Sequence, residues 1–343
     1  MKIVFYMHKL SAIGGVESFF YYLAKKYKNF TVYYSEGNVE QVKRLAKLVE
    51  VRRYTKPIKC DLFFNNYKCD IEVEAKEKYH IIHYDPLNVG FKTSYEEGWK
   101  YIGVSEVACK GFKEITGHDI ELIYNPVVIE KPKVKKLEGL NLISATRLTS
   151  EKGLERIVKL SNDLDKAGVE YTWTIYTNKV RKAIQQIKSR NVIVKEQQLD
   201  LRKEVAESSY LVQLSSCESF GLSVCESLML GTPVIITDLE AFHEIGVNNE
   251  NGIFIDLEMK NIPIDEIVKG KKKVSYTPPK ECWNKYLNQD TDYNPDEIVK
   301  VKVLKRLYLI EEDLHLRKND IIQVPRSRAS ELECQNLVEI IEN

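Results

Sequence analysis

The chain has 343 residues, 43% of them hydrophobic, with 51 Lys and Arg against 50 Asp and Glu. That length exceeds one ordinary domain and suits two of about 150 residues with a small addition. The balance of apolar and charged residues excludes a disordered chain, the net charge of +1 gives no support to a nucleic-acid binder, and no apolar run reaches the ~18 residues that span a bilayer.

The first half alternates strand and helix signals. Residues 3–6 form a short apolar strand, followed by a polar loop over 8–15. Without a cleavage-like site this start reads as a strand, not a signal peptide. Residues 16–27 have helical spacing, with Phe19, Phe20, Leu23 and Tyr27 on one face. Strands are expected at 30–34, 61–65, 79–83, 101–104 and 121–124, and helices at 39–48 and 106–116. Residues 128–138 (VIEKPKVKKLE) are polar and basic and read as a linker.

A second alternating set follows. Strands are expected at 140–145, 171–176, 192–194, 210–214, 234–237 and 252–255. Helices are expected at 152–167, 179–189, near 201–206 and at 221–230. Interleaved strands and helices imply parallel sheets covered on both faces, here two doubly wound domains with a cleft between them. Ligands of such sheets sit beyond the carboxyl ends of the strands. The domains are expected at 1–128 and 138–288, with a small α+β extension, rich in strands, at 289–343.

The pattern weakens after Asp256. Residues 269–273 are a basic run that reads as a solvated loop, and 280–287 a short helix carrying Trp283. In the extension, Val299, Val301 and Val303 alternate, a turn is expected at 311–313, strands at 321–324 and 337–341, and a helix at 327–334. With eight basic and twelve acidic residues the extension carries −4, which argues against direct DNA contact. It reads as an oligomerisation or docking module.

The seven cysteines are odd in number, scattered and without C-x-x-C, so a disulfide framework or zinc site is not expected and a reducing, cytoplasmic setting is. Cys217 and Cys225 read as small buried side chains. Asp290-Thr291-Asp292 imitates a metal-binding Asp-x-Asp but lies outside any strand-end context, so no metal is assigned. Neither G-x-G-x-x-G nor a Walker A run is present. Lys25, Lys26, Lys28, Lys43, Arg44 and Lys47 form either a solvated face or one for anionic lipid at the inner face of a membrane.

The strongest chemical signal is CESFGLSVCES at 217–227. A strand delivers a loop to a helix that begins near Gly221. The amides of Gly221, Leu222 and Ser223 then make a ready anion site, and Gly221 permits close backbone approach. Glu226, within the helix, is placed for vicinal hydroxyls such as a ribose, and Glu218, on the loop, for sugar hydroxyls. From the pair alone, two surface glutamates around an ordinary turn fit as well.

Glu218-Ser219-Phe220-Gly221, then Glu226, then Gly231-Thr232-Pro233-Val234, resembles the signature of retaining glycosyltransferases of the GT-B fold, family 4. Gly14-Gly15-Val16-Glu17, Val104-Ser105 and Asn125-Pro126-Val127 fall in that family's order, as do Arg147 with Lys152-Gly153, His243-Glu244-Ile245 and Asn251-Gly252. The resemblance covers 1–288 and implies two Rossmann-like domains. Thr146 stands where the family has Gly, His243 where it has Pro, and the N-terminal domain is short.

The resemblance implies transfer of a sugar from a nucleotide diphosphate, UDP-linked by expectation, to a hydroxyl acceptor. The leaving phosphate would take the acceptor's proton on the same face, with no cofactor and no metal. Arg147 and Lys152, with the Gly221, Leu222 and Ser223 amides beside Phe220, would hold the diphosphate, whose growing charge two fixed cations stabilise. Glu226 would bind ribose and Glu218 the donor sugar. His83, at a strand end in YHIIHYDP, would face that sugar, though a packed histidine is the plainer reading. Gly14 and Gly15 would border the donor or make a simple tight turn. The acceptor classes are a glycan, a wall polymer, a protein or a modified base. The extension resembles small β-rich segments of bacteriophage proteins, and copies could associate through it. Two alternatives stand: a non-catalytic sugar- or wall-binding module, and a nucleotide-sugar epimerase or phosphorylase.

Overall fold

The computed structural model describes residues 1–90, 92–270, 274–289, 293–310 and 313–341. Asp290-Thr291-Asp292, most of the basic run and most of the expected turn at 311–313 lie outside the described residues. The contacts divide the chain into two compact units. One comprises Met1–His83, Ser94–Gly103 and Cys282–Asn343, and the other Tyr84–Thr93 and Val104–Glu281.

The first unit opens with β1 (Ile3–Leu10), α1 (Gly15–Lys26), β2 (Thr31–Gly37), α2 (Val39–Ala46) and β3 (Glu50–Arg53). It continues through β4 (Ile58–Asn66), β5 (Val73–Ile82) and β6 (Lys100–Gly103). These strands lie in the order β3-β2-β1-β4-β5-β6. The order reverses between β1 and β4, and in open α/β sheets ligands bind beyond the carboxyl ends of the strands at such a reversal. β1 runs past its expected end because Lys9 and Leu10 still pair with Glu36 and Gly37 of β2. His8 therefore stands on the strand, not in the loop. β3 (EVRR) was not expected: three of its four residues are polar, and only tertiary pairing with β2 makes it a strand. Asn38 caps α2, its side chain accepting from Gln41 N.

The link from β4 to β5 departs from expectation too. The two strands are parallel, yet only residues 67–72 join them. Such crossovers usually take a dozen residues or more and a helix. Here a short strap without helix returns the chain, and Asp70 on it accepts from Tyr6 Oη at 2.6 Å.

The second unit begins with α3 (Glu106–Thr116) and the two-residue β7 (Glu121–Leu122). Ser105 caps α3 by accepting from Ala108 N at 3.0 Å, and Gly117 closes it in the left-handed region at φ 77°. Then come β8 (Leu140–Ala145), α4 (Leu154–Lys166), β9 (Tyr171–Thr177), α5 (Val180–Gln186), β10 (Val192–Glu196) and α6 (Arg202–Glu207). β11 (Tyr210–Gln213), α7 (Leu222–Leu230), β12 (Val234–Thr237), α8 (Glu240–Glu244), β13 (Gly252–Ile255) and α9 (Ile264–Lys269) complete it. Its sheet is parallel, in the order β10-β9-β8-β11-β12-β13. The reversal falls between β8 and β11. The inward rows read as near-continuous apolar runs, with Trp173, Ile175, Val212 and Ile235 at most 1% exposed, as a sheet covered on both faces requires. The short α8 and α9 carry too few apolar repeats to be read from sequence.

The remaining segments belong to the first unit. The helix expected over 280–287 is only a 3-10 turn, Trp283–Lys285. Trp283 is wholly buried there, its ring 5.4 Å from that of Phe19 and 5.9 Å from those of Phe5 and Phe64. β14 (Ile298–Val303) follows, then the hairpin strands β15 (Leu307–Leu309) and β16 (Leu314–Leu316), β17 (Ile321–Pro325), α10 (Arg326–Cys334) and β18 (Val338–Ile340). The alternation of Val299, Val301 and Val303 places all three inward, and β14 pairs antiparallel with both β17 and β18. α10 packs on α2 and β3. There Glu333 accepts from Arg53 N at 2.9 Å, Arg326 meets Glu50 at 3.2 Å, and the Cys334 thiol donates to the Gly37 carbonyl at 3.3 Å. Among the described residues no helix is long and apolar enough to cross a membrane.

Candidate functional site

In the second unit, the segments leaving β8 and β11 at the sheet's reversal carry Arg147, Lys152, Glu218 and Gly221. Glu218 is the hub. Its Oε1 accepts from Gln213 Nε2 at 2.7 Å, from Ser215 Oγ at 2.8 Å and from Lys152 Nζ at 2.8 Å. No hydrogen bond to its Oε2 is made among the described residues, which leaves that oxygen to accept from a ligand. Burial opposes the charge on Lys152, but the carboxylates of Glu218 and Glu151 together outweigh it and hold the ammonium pKa above its ordinary value. The side chains of Lys152 and Glu218 are 17% and 13% exposed, so the pair is weakly screened yet reachable.

Two glycines make this possible. Gly153, at φ 82°, lies so close to β11's exit that a Cβ would stand 1.9 Å from the Leu214 carbonyl oxygen. Only glycine lets the segment holding Lys152 approach the Glu218 loop. Gly221, at φ 84°, turns the chain into α7, and a Cβ there would lie 2.7 Å from the Phe242 ring. The first amides of α7, from Leu222 and Ser223, have no carbonyl one turn back inside the helix. With the helix dipole they are oriented as an anion would require. The Ser223 hydroxyl donates to Gln213 Oε1, which ties the start of α7 to the glutamate hub.

Arg147 is exposed, and its guanidinium makes no ion pair among the described residues. It is the exposed cation of the set, and Lys152 the one anchored on a carboxylate. Glu226 lies half-buried on the second turn of α7. The Phe220 side chain is 2% exposed and packs 6.1 Å from the Tyr124 ring, so only its backbone is available to a ligand. Cys217 and Cys225 are buried, and burial, aided at Cys217 by Asp85 and Glu218, pushes both thiols up to about 12. Neither is a thiolate near neutral pH. Glu244 accepts from the amides of Glu106 and Val107 and so caps α3, a supporting role.

The first unit holds the other expected residues. The Glu17 carboxylate folds beneath Gly14, accepts from Ser11 N at 2.7 Å, and would have to shift for a Cβ at Gly14, 2.2 Å away. Gly15 has open space around it, with nothing within 4 Å of a Cβ position. His83 Nε2 meets Asn66 Oδ1 at 2.7 Å. The Asn66 amide is oriented by its Nδ2, which donates to the Tyr6 carbonyl at 3.0 Å. Oδ1 is therefore the acceptor, and His83 carries its proton on Nε2. Burial lowers the His83 pKa to about 3, so the ring is neutral. The Phe19 ring packs 4.9 Å away.

Sequence reasoning missed the orienting residues. Gln213 ends a strand, Ser215 sits in a loop, and Asn66 is an ordinary strand residue until its partners are known. It also missed His8, whose Nδ1 lies 2.8 Å from the Asp70 carboxylate. Among the described residues no group of three or more His, Cys, Asp or Glu is gathered as a metal site would need.

Residues 128–268 match the family model described as Glycosyl transferases group 1. A protein of Klebsiella pneumoniae described as "Uncharacterized 41.2 kDa protein in cps region" is 24% identical over 169 residues. That alignment covers 46% of this chain and 47% of the relative, so it spans about half the length of the curated protein it matches. Anabaena Alr3699/HepE, solved in complex with UDP-glucose, superposes with a TM-score of 0.56 at 16% identity, covering 77% of this chain and 89% of the other. The lipopolysaccharide outer core galactosyltransferase WaaB, in its apo form, gives 0.53 at 16%, covering 79% and 89%. At such identities the likeness shows the fold. The two parallel α/β sheets have the architecture of the GT-B glycosyltransferases, and the group 1 match falls on the unit that carries Lys152 and Glu218.

Proposed function

We propose that the chain is a retaining glycosyltransferase that moves a sugar from a UDP-linked donor to a hydroxyl acceptor. The observation that carries this reading is the Glu218 hub: one oxygen held by Gln213, Ser215 and Lys152, the other left for a sugar hydroxyl. Lys152 and Arg147, with the first amides of α7, receive the diphosphate, and Glu226 takes the ribose hydroxyls. His83 serves as a neutral hydrogen-bonding group toward the sugar, and Gly14 and Gly15 allow backbone approach. The group 1 match supports glycosyl transfer, and the neighbour solved with UDP-glucose supports a UDP-linked donor.

In the step itself the bond from the anomeric carbon to the β-phosphate oxygen breaks, its electron pair going to the phosphate. The acceptor oxygen bonds to that carbon on the same face, and its proton passes to the departing phosphate oxygen. Fixed cations and amides stabilise the charge where it develops without reorganising. The two cations supply what a divalent metal would, so turnover is expected to survive a chelator. The acceptor is a glycan, wall polymer, protein or modified base.

The test is nucleotide release from UDP-, GDP-, ADP- and dTDP-sugars without acceptor, wild type beside Glu226→Ala. Slow release from one donor, lost in the variant, is the expected result, and NMR of the product with an acceptor reads the anomer. No binding of any donor would overturn the reading in favour of a non-catalytic module. Epimer formation without nucleotide release would favour the epimerase.

A further inference from the structure

We propose that Tyr67 is a stacking platform for a pyranose ring at the ligand crevice of the first unit. The inference rests on the glycosyl-transfer reading and names a residue which that reading leaves out. Tyr67 is the first residue after β4, and the order of the first sheet reverses between β1 and β4. It therefore stands at the switch point, the place where open α/β sheets take their ligands.

Its backbone is the second observation. Among the described residues five non-glycine residues have positive φ: Tyr67, Met259, Asp313, Asn319 and Asn336. Asp and Asn tolerate that region, and Met259 is 2% exposed and packs in a core. Tyr67, at φ 67°, is the one with a large exposed side chain, 42% accessible. Folding alone favours Gly or Asn at such a position.

Its surroundings are built to hold it. The wholly buried Asn65 donates from Nδ2 to the Tyr67 carbonyl at 2.7 Å, and the same nitrogen meets His80 Nδ1 at 2.9 Å. The next residue, Asn66, holds His83. Two adjacent asparagines thus fix the Tyr67 backbone and the His83 ring, whose centroids stand 6.2 Å apart. A pyranose has an apolar C–H face and a rim of hydroxyls. The negative face of an aromatic ring suits the first, and the neutral imidazole suits the second. The sugar belongs either to the donor or to the acceptor.

The test uses the full-length Tyr67→Phe, Tyr67→Ala and Tyr67→Gly variants. Methyl glycosides of glucose, galactose and N-acetylglucosamine are the acceptor probes, with glycerol as a ringless control. Saturation-transfer NMR reads sugar binding, and nucleotide release from the donor found above reads turnover. Ala and Gly are expected to raise one sugar's KM about tenfold, with Phe close to wild type and the Gly variant at least as heat-stable as wild type. A shift confined to the glycoside KM assigns the ring to the acceptor, and one confined to the donor KM assigns it to the donor. Unchanged binding and kinetics in Ala and Gly would overturn the proposal, as would a Gly variant that melts well below wild type, which would make the ring structural. If wild type binds a pyranoside through Tyr67 but turns over no donor, glycosyl transfer fails and the platform stands. If it turns over donor but no sugar depends on Tyr67, only the platform fails.

Discussion

Single residues set the proposed chemistry through close packing rather than charge alone. Gly153→Ala would force a Cβ onto the Leu214 carbonyl at a φ that disfavours any side chain. It is expected to cost about 2–3 kcal/mol and to lower donor turnover by displacing Lys152. Thermal unfolding and nucleotide release check the two effects. Lys152→Ala leaves Glu218 half-buried without its cation and removes the positive charge proposed to stabilise the departing diphosphate. Donor turnover is expected to fall at least ~100-fold, while Lys159→Ala, at a surface ion pair with Asp163, should leave it unchanged. The two half-buried histidines give a stability prediction. Burial lowers His83 from 6.5 to about 3 and His80 from 6.5 to about 4. The unfolded chain binds protons below pH 6.5 that the native state refuses, so their contribution is complete above that pH. It is lost as pH falls from 6.5 towards 4 and 3, at a limit of about 1.4 kcal/mol per pH unit for each ring. Urea unfolding at pH 7.5 and pH 5 should show the loss, and His83→Gln should make it shallower.

Elements differ in how far they were legible. α3 matches its expected bounds because a cap at Ser105 and a glycine at Gly117 frame an apolar stripe. β8, β12 and β13 match because buried parallel strands are short apolar runs between turn signals. β3, α8 and α9 were not legible, since their identity comes from what they pair with or pack on. The extension shows both outcomes. Its valine alternation was legible, but that α10 packs on α2 and β3 was not. Glu333, 4% exposed, is central to that contact, with Arg52 at 3.7 Å and the Arg53 amide at 2.9 Å. Burial raises its pKa, with Arg52 pulling the other way. Glu333→Ala is expected to destabilise the first unit by about 2–4 kcal/mol, because it leaves a buried arginine short of a partner. Chemical denaturation followed by Trp283 fluorescence would check it, since Trp283 lies in that unit.

At the scale of the whole molecule, the chain visits both units more than once, and its C-terminal residues complete the unit that its N-terminal residues begin. Trp283 sits among Phe5, Phe19 and Phe64, so the first unit's aromatic cluster depends on residues far along the chain. Deleting 282–343 is therefore expected to unfold that unit, with loss of its near-UV circular dichroism. Ligand binding should act on the other unit. A UDP-linked donor at 100 times its Kd would stabilise the native state by about 2.7 kcal/mol. That gain should be absent in the Lys152→Ala variant, as differential scanning calorimetry would show.

The sequence by itself determined the α/β class, the alternation of strands and helices, and the glutamate, lysine and glycine motif. Those features are local: apolar period, turn residues and short spacings survive without knowledge of distant partners. Only the tertiary structure decided which strands are neighbours, and so where each sheet reverses. It decided that Gln213, Ser215 and Lys152 converge on one oxygen of Glu218, and that Asn65 and Asn66 hold Tyr67 and His83. It also decided that residues after 281 finish the first unit. Each of these is a contact between residues remote in sequence. No local propensity encodes such a contact, because the burial and hydrogen bonds that stabilise it exist only once both partners are in place.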